Sequence, residues 1–443
     1  MRITITIFFL LVLISGTGLG QTPQTVSSVD AETYRLWLAR DWDGLLYTGN
    51  EALKQGIDFY YLRYRMGIAW YEKKNYHRAV RHFRAAWQIN PEDELLAEYF
   101  YYALRFSGRD YEAARVEDSF SRQMKRRLAL PENRGWQRVY LAYAYNPGAP
   151  SLAVDRVDTE TAVEGFQSVS KEYHLINAGI EHRVGSRTWL HHSYTHIQKS
   201  FYFFQNEAGQ RFQNPDDKTY ANQYYLGAAR LIKDGLDVRL GFHFIHLLDY
   251  QNRTSFIRGR HQVVSVAVTD QNYVGFASLH RRGQFLTTKL TLYAGNLNNA
   301  VQHQQDVAMI LYPFGNLNLY STSVLSHQSE KPVEGSWRSQ FILQQGLGLK
   351  LTDRFWVEAD AAFGEIRNFF AADGAVVYND TDATSKKYAA TLHAVLSSHM
   401  HLRVDYVITD RESFFIPSQT GSQTLEAIDY QTRSFTVTLL WKR

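Results

Sequence analysis

From about Trp136 onward, apolar side chains fall on every second position over tracts of roughly ten residues, joined alternately by tight turns and longer polar stretches. Leu236, Val238, Leu240, Phe242 and Phe244 alternate with Asp237, Arg239, Gly241 and His243, and Leu402, Val404, Tyr406 and Ile408 alternate with Arg403, Asp405 and Val407. Successive strand side chains point to opposite faces, so each tract has one greasy face and one polar face. A closed antiparallel transmembrane β-barrel is the architecture this predicts. Tight turns are expected at Gly185-Ser186, Lys233-Asp234-Gly235, Arg282-Gly283, Phe314-Gly315-Asn316, Thr352-Asp353 and Ser398-His399, and longer loops at 147–170, 205–218, 251–270, 297–303, 328–338, 371–385 and 414–430. Counting between them gives about 14 strands. The tract His261 to His280 reads as one strand, as a loop and a strand, or as two strands, which leaves 12 and 16 open. Phe435, Val437, Leu439 and Trp441 share one face of the last strand.

Residues 30–128 follow another rule, with apolar groups three and four apart among strong helix formers, and are expected to be helical. Within them Gly67, Trp70, Ala79, Phe83, Ala86 and Pro91 stand where a helical pair needs small residues for close approach, aromatics to fill the seam and a proline to stop. The stretch YLRYRMGIAWYEKKNYHRAVRHFRAAWQINP thereby resembles a tetratricopeptide repeat. Asp41-Trp42, Asn75-Tyr76 and Asp110-Tyr111 recur at about the period of that family, room for three stacked units. The resemblance implies a binding role for residues 30–128, toward a periplasmic protein or a glycan.

The fold class expected is thus α + β multidomain, a helical array followed by the barrel at 136–443, with linkers at 21–29 and 129–135 and Pro131 ending the helical part. Residues 1–20 read as a secretory signal: Arg2, the apolar run ITITIFFLLVLI, then small residues through Gly20. With no cysteine, disulfides and thiolate metal sites are excluded. Aromatic residues make up 14% of the chain while mean hydropathy is −0.36, a pairing that suits aromatic rims around a wet rather than packed interior. A net charge of +4 in 443 residues argues against nucleic acid as a partner.

For chemistry, the polar faces supply an expected lumen lining of Asp237, Arg239, His243, Lys289, Lys350, Glu358, Asp360, Arg403 and Asp405. The apolar faces, from Leu236 to Phe244, from Leu402 to Ile408 and from Phe435 to Trp441, are expected to meet the lipid bilayer. His191, His192 and His196 do not make a metal site, since His192 and His196 lie roughly 13 Å apart on a strand. His243 and His246 point to opposite faces; His399 and His401 flank a turn without a third ligand. Glu358 and Asp360, two apart on one inner face, suit a charge-balanced lumen better than acid/base catalysis. Asp373, Asp380 and Asp382 are expected in a solvated outer loop, with calcium binding as the alternative. No cofactor, metal or catalytic set is expected, although a Ser-His pair meeting across strands stays open.

A helical repeat segment ahead of a barrel resembles Gram-negative outer-membrane proteins that include exopolysaccharide-export porins. The likeness implies a periplasmic helical domain that binds envelope components and a barrel that provides the way out. It also implies assembly machinery reading the terminal aromatic Trp441, here followed by Lys442 and Arg443. Three functions follow: a transport or export pore, a membrane-anchored scaffold without conduction, and an outer-membrane lipid hydrolase.

Overall fold

The computed structural model describes residues 24–130, 135–157, 163–207, 209–258, 260–333, 335–380, 382–418 and 427–442. The leader expected at 1–20, Pro131 and part of the 414–430 connection lie outside them.

The first described part is helical: α1 (Val26–Leu38), α2 (Trp42–Lys54), α3 (Tyr60–Glu72), α4 (Tyr76–Ile89), α5 (Glu94–Phe106), α6 (Asp110–Glu117) and α7 (Arg122–Arg127). Side-chain caps set several starts. Thr25 and Ser28 form a capping box ahead of α1, Asp41 accepts from Gly44 N, Asn75 from Arg78 N, and Asp93 from both Leu95 N and Leu96 N. The even-numbered helices begin at Trp42, Tyr76 and Asp110, so the recurrence seen in the sequence marks the second helix of each successive pair. Gly67 lies so close to the Phe83 ring that an added Cβ would sit 2.4 Å from it. Ala79, Phe83 and Ala86 are fully buried in the same core, Trp70 is packed half-buried against it, and Pro91 is exposed just beyond α4. Each large apolar side chain taken from water here, such as Phe83, Phe100 or Leu104, contributes about 1.5–3 kcal/mol.

The chain then closes into a barrel. Its strands are β1 (Trp136–Asn146), β2 (Gly165–Val184), β3 (Thr188–Glu207), β4 (Gln210–Lys233), β5 (Leu236–Ile257), β6 (Arg260–Arg282), β7 (Leu286–Leu297), β8 (Ala300–Leu311), β9 (Leu319–Pro332), β10 (Arg338–Lys350) and β11 (Phe355–Ile366). A small hairpin of β12 (Phe369–Ala371) and β13 (Val376–Tyr378) interrupts the sheet, which resumes with β14 (Ala383–Val395) and β15 (Met400–Ser413). After the two-residue β16 (Ile416–Pro417), β17 (Ile428–Lys442) pairs with β15 and with β1, and β1 pairs with β2. Leaving out β12, β13 and β16, fourteen antiparallel strands form one closed ladder. The tract His261 to His280 belongs to a single strand, β6.

The tight turns fall at the expected places, and gather at one end of the barrel. The opposite end differs from expectation. Residues 205–207, 210–218, 251–257 and 260–270 are strand rather than loop, because their polar side chains bond across the ladder: Thr254 Oγ1 donates to Asn214 Oδ1 at 2.6 Å, and Arg253 meets Asp217 at 2.9 Å. Polarity there marks pairing across the strands, not the end of a strand. Segment 297–303 is a two-residue hairpin turn, with Asn298 and Asn299 at φ of 51° and 56° in the left-handed region that such turns require. In the connection after β1, α8 (Ser151–Val157) packs on Val169, Phe204 and Tyr430.

Candidate functional site in the barrel lumen

Alternation carries through to the tertiary structure. Leu240 and Phe242 are exposed on the outside, with Phe435, Val437, Leu439 and Trp441, while Asp237 and His243 are buried on the inner face of the same strand, β5. Leu236, Val238 and Phe244 share the outer parity of β5, and Leu402, Val404, Tyr406 and Ile408 that of β15. Arg239, Lys289, Lys350, Glu358, Asp360, Arg403 and Asp405 all project inward, but into two different surroundings.

On one side of the lumen, residues 367–380 turn inward against the barrel wall. At the tip, Ala372, Asp373 and Gly374 all have positive φ, and Gly374 at +74° occupies a conformation open to glycine at little cost. The Asp373 carboxylate lies 2.5 Å from Lys289 Nζ and 3.3 Å from Arg239, with His280 at 3.9 Å. His243 Nδ1 donates to the Gly374 carbonyl at 2.7 Å, and the Tyr225 hydroxyl to the Asp373 carbonyl at 3.1 Å. Higher up, Gln304 Nε2 donates to the Phe370 carbonyl and Gln304 Oε1 accepts from Phe370 N, while Gln328 Nε2 donates to the carbonyls of Arg367 and Asn368. Phe370, fully buried, anchors a cluster with Ile245, Leu247, Val274, Phe276, Tyr293 and Leu297.

Two expectations are corrected here. The segment carrying Asp373, Asp380 and Asp382 is not a solvated outer loop or a calcium site: Asp373 is bound as above, Asp380 by Lys199 and Arg411, and Asp382 accepts from the Tyr430 hydroxyl. Nor is the interior uniformly wet, since inner-face Ile245, Leu247 and Phe276 meet Phe370 in a dry contact.

Across the lumen, among the described residues, the hairpin does not line the cavities, although Gly108 of the helical part lines one of them. Cavities of about 210 Å³ and 420 Å³ adjoin there, both lined by Tyr320, Thr322 and Glu358. Asp360 and Arg403 complete the first; Trp356, His393, His401 and Lys442 belong to the second, toward the turns. Glu358 accepts from the Tyr320 hydroxyl and lies 3.3 Å from His393 Nε2. Arg403 pairs with Asp405 at 2.7 Å, and Lys350 with Asp353 at 2.7 Å.

The helical part is docked on the turn end of the barrel. The α6 region enters the mouth, where the Tyr111 ring stacks on Trp189 at 4.2 Å and lies 5.7 Å from the Arg239 guanidinium carbon. Around it, Arg183 pairs with Asp118 at 2.6 Å, Arg115 with Asp234 at 2.7 Å and Arg84 with Asp234 at 3.1 Å. His77 N donates to the Gly315 carbonyl, and a Cβ on Gly315 would lie 2.1 Å from Asn75 Oδ1, so this turn must be glycine for α4 to seat on it. The His77 ring stacks on Tyr312 at 4.6 Å, and burial beside Arg109 lowers its pKa to about 4.

The remaining candidates do not assemble into chemistry. His192 turns to Tyr224 and His191 to Tyr140. Among the described residues no group of three His, Asp or Glu side chains is placed to hold a metal ion. A Ser-His pair does occur, Ser278 Oγ with His280 Nε2 at 2.9 Å, but both are buried on the inner face of β6, and Asp237 is 3.9 Å from His280 Nδ1 and already bound by Arg239 and Arg282. Tyr111, Gln304, Gln328 and Asp373 hold the lumen's two closures, and sequence reasoning gave none of them this role. An available signal was the inner-face run Gln302, Gln304 and Asp306, which is amide-rich where a lumen needs only polarity.

No protein-family profile matches the chain, and no curated protein matches it. Solved structures similar in outline include a Pseudomonas aeruginosa FadL homologue, at TM-score 0.45 and 10% identity over 70% of this chain and 90% of that one. Others are the P. putida toluene transporter TodX, at 0.44 and 6% over 71% and 91%, and the Ralstonia pickettii toluene transporter TbuX, at 0.44 and 7% over 70% and 90%. The barrel is established by its own ladders.

Proposed function

We propose that the chain is a bacterial outer-membrane transport or export pore for a polar solute or a glycan segment, with the helical part on the periplasmic side covering one mouth and docking partners there. The observation that supports this reading is the pair of adjoining cavities sharing Tyr320, Thr322 and Glu358, which leave space in the lumen beside the inserted hairpin. Apolar side chains on the outer faces support placement in a bilayer. No catalytic step is part of this proposal.

The absence of cysteine makes the test direct. Thr322→Cys, in protein reconstituted into planar bilayers, should be labelled by a charged thiol reagent added from either side, and labelling should reduce a measurable conductance. A silent bilayer, with labelling from one side only, would remove the pore. The second reading, a non-conducting scaffold, is favoured by the helical part lying across the mouth; it would then stand if deletion of residues 30–128 abolished a specific envelope partner.

A further inference from the structure

Above the inserted hairpin, at the end away from the turns, a third cavity of about 370 Å³ opens between β2–β5 and the connection after β13. This size lies within the roughly 300–1,000 Å³ range of small-molecule pockets. One part of its wall is apolar: Ile197, Phe201 and Phe203 from β3, with Leu247 from β5. The charged part is almost entirely committed. Lys199 is bound to Asp380, and Arg253 pairs with Asp217 at 2.9 Å while its guanidinium carbon lies 3.8 Å from the Phe203 ring centre. The exceptions are Lys218, which is exposed, and Asp249, which has no ion-pair partner among the described residues and whose Oδ1 is shielded from solvent without a hydrogen-bond partner.

A carboxylate kept from water costs free energy unless a donor reaches it. An uncommitted acid beside aromatic and aliphatic walls therefore complements a ligand with an apolar body and a cationic nitrogen. We infer that this vestibule is a binding site for a small organic cation, an ammonium group carried on an aromatic or short aliphatic body. Asp249 receives the ammonium, and Ile197, Phe201 and Leu247 receive the body.

The site does not rest on the pore reading: binding without conductance leaves it intact, and conductance without binding overturns it. Isothermal titration of the purified full chain in non-ionic detergent, with phenethylamine as probe, should give saturable 1:1 binding. 2-Phenylethanol, the same body without the charge, should bind on the order of tenfold or more weakly, as expected for a lost charge-assisted hydrogen bond. Asp249→Asn should abolish this preference while the barrel keeps its heat-dependent shift in electrophoretic mobility. No saturable binding of the amine, equal binding of the alcohol, or an unchanged preference in Asp249→Asn would each overturn the proposal. The comparison of the two probes in the unaltered protein decides the matter even if the variant fails to fold.

Discussion

The wall formed by β2–β6 and the wall formed by β7–β17 belong to one ladder, yet they are built to different specifications. Strands of the first have 20 to 24 residues, those of the second 12 to 15 apart from the short accessory segments. A tilted strand crosses a bilayer in about 9–11 residues, so the tall wall continues well past it, and β6 from Arg260 to Thr269 is exposed on both faces. Inside, the tall wall together with Tyr293 and Leu297 of β7 packs Ile245, Leu247 and Phe276 against Phe370, whereas β11, β14 and β15 of the low wall present Glu358, Asp360, His393 and Arg403 to open cavities. Both walls are apolar outside. The difference teaches that the outer face of a barrel strand answers to its medium, while the inner face answers to whatever occupies the lumen opposite it.

Breaking the filled side should have the largest effect. Asp373→Ala leaves Lys289, Arg239 and His280 without their shared anion, a loss of about 3–5 kcal/mol for a broken buried ion pair. Single-channel recordings should then show a larger conductance and erase the contrast between the walls; an unchanged conductance would mean that the hairpin does not limit the route. On the outer face, Phe242→Arg should cost about 2–4 kcal/mol of barrel stability in lipid if it sits near the bilayer midplane, measured by urea titration in liposomes. The same replacement at Val266, on the protruding end of β6, should cost close to nothing.

Acid should loosen the seat of the helical part. His77 has a folded pKa of about 4 against an ordinary 6.5, so its neutral form is favoured in the docked state. Its contribution is complete above pH 6.5 and is lost as pH falls through 4. Protease sensitivity of α4 and α6 should rise over that window, and His77→Gln should flatten the profile. An effect confined to the helical part is expected from Gly67→Ala, where the added methyl overpacks against Phe83 at about 1–3 kcal/mol. Thermal unfolding of the helical part should register it while the lumen contrast is untouched.

Much of this was legible in the chain. Period-two alternation located the outer face of β5, β15 and β17, and Gly185-Ser186, Lys233-Asp234-Gly235 and Arg282-Gly283 located the turns, because both signals are local. The lumen's content is not local: Asp373 finds Lys289 and Arg239 from far along the chain, so an acidic, glycine-containing stretch reads as a loop until its partners are seen. One trace of the filling was present in the sequence. From Phe242 to Leu248 apolar residues spill onto both faces, with Ile245 and Leu247 facing inward, and an inward apolar residue in a barrel calls for an apolar neighbour across the lumen. The helical part was legible as helices, but its seat on the turns depends on Tyr111, Gly315 and Asp234, which carry no pattern until two distant surfaces meet.

Arg239 touches both obstructions at once, its guanidinium beside the Tyr111 ring from below and against Asp373 from above. A cation over an aromatic face is worth about 0.5–2 kcal/mol. Withdrawing that ring would rehydrate the guanidinium and loosen its hold on the acid, so a displacement of the helices has a physical lever on the inserted hairpin.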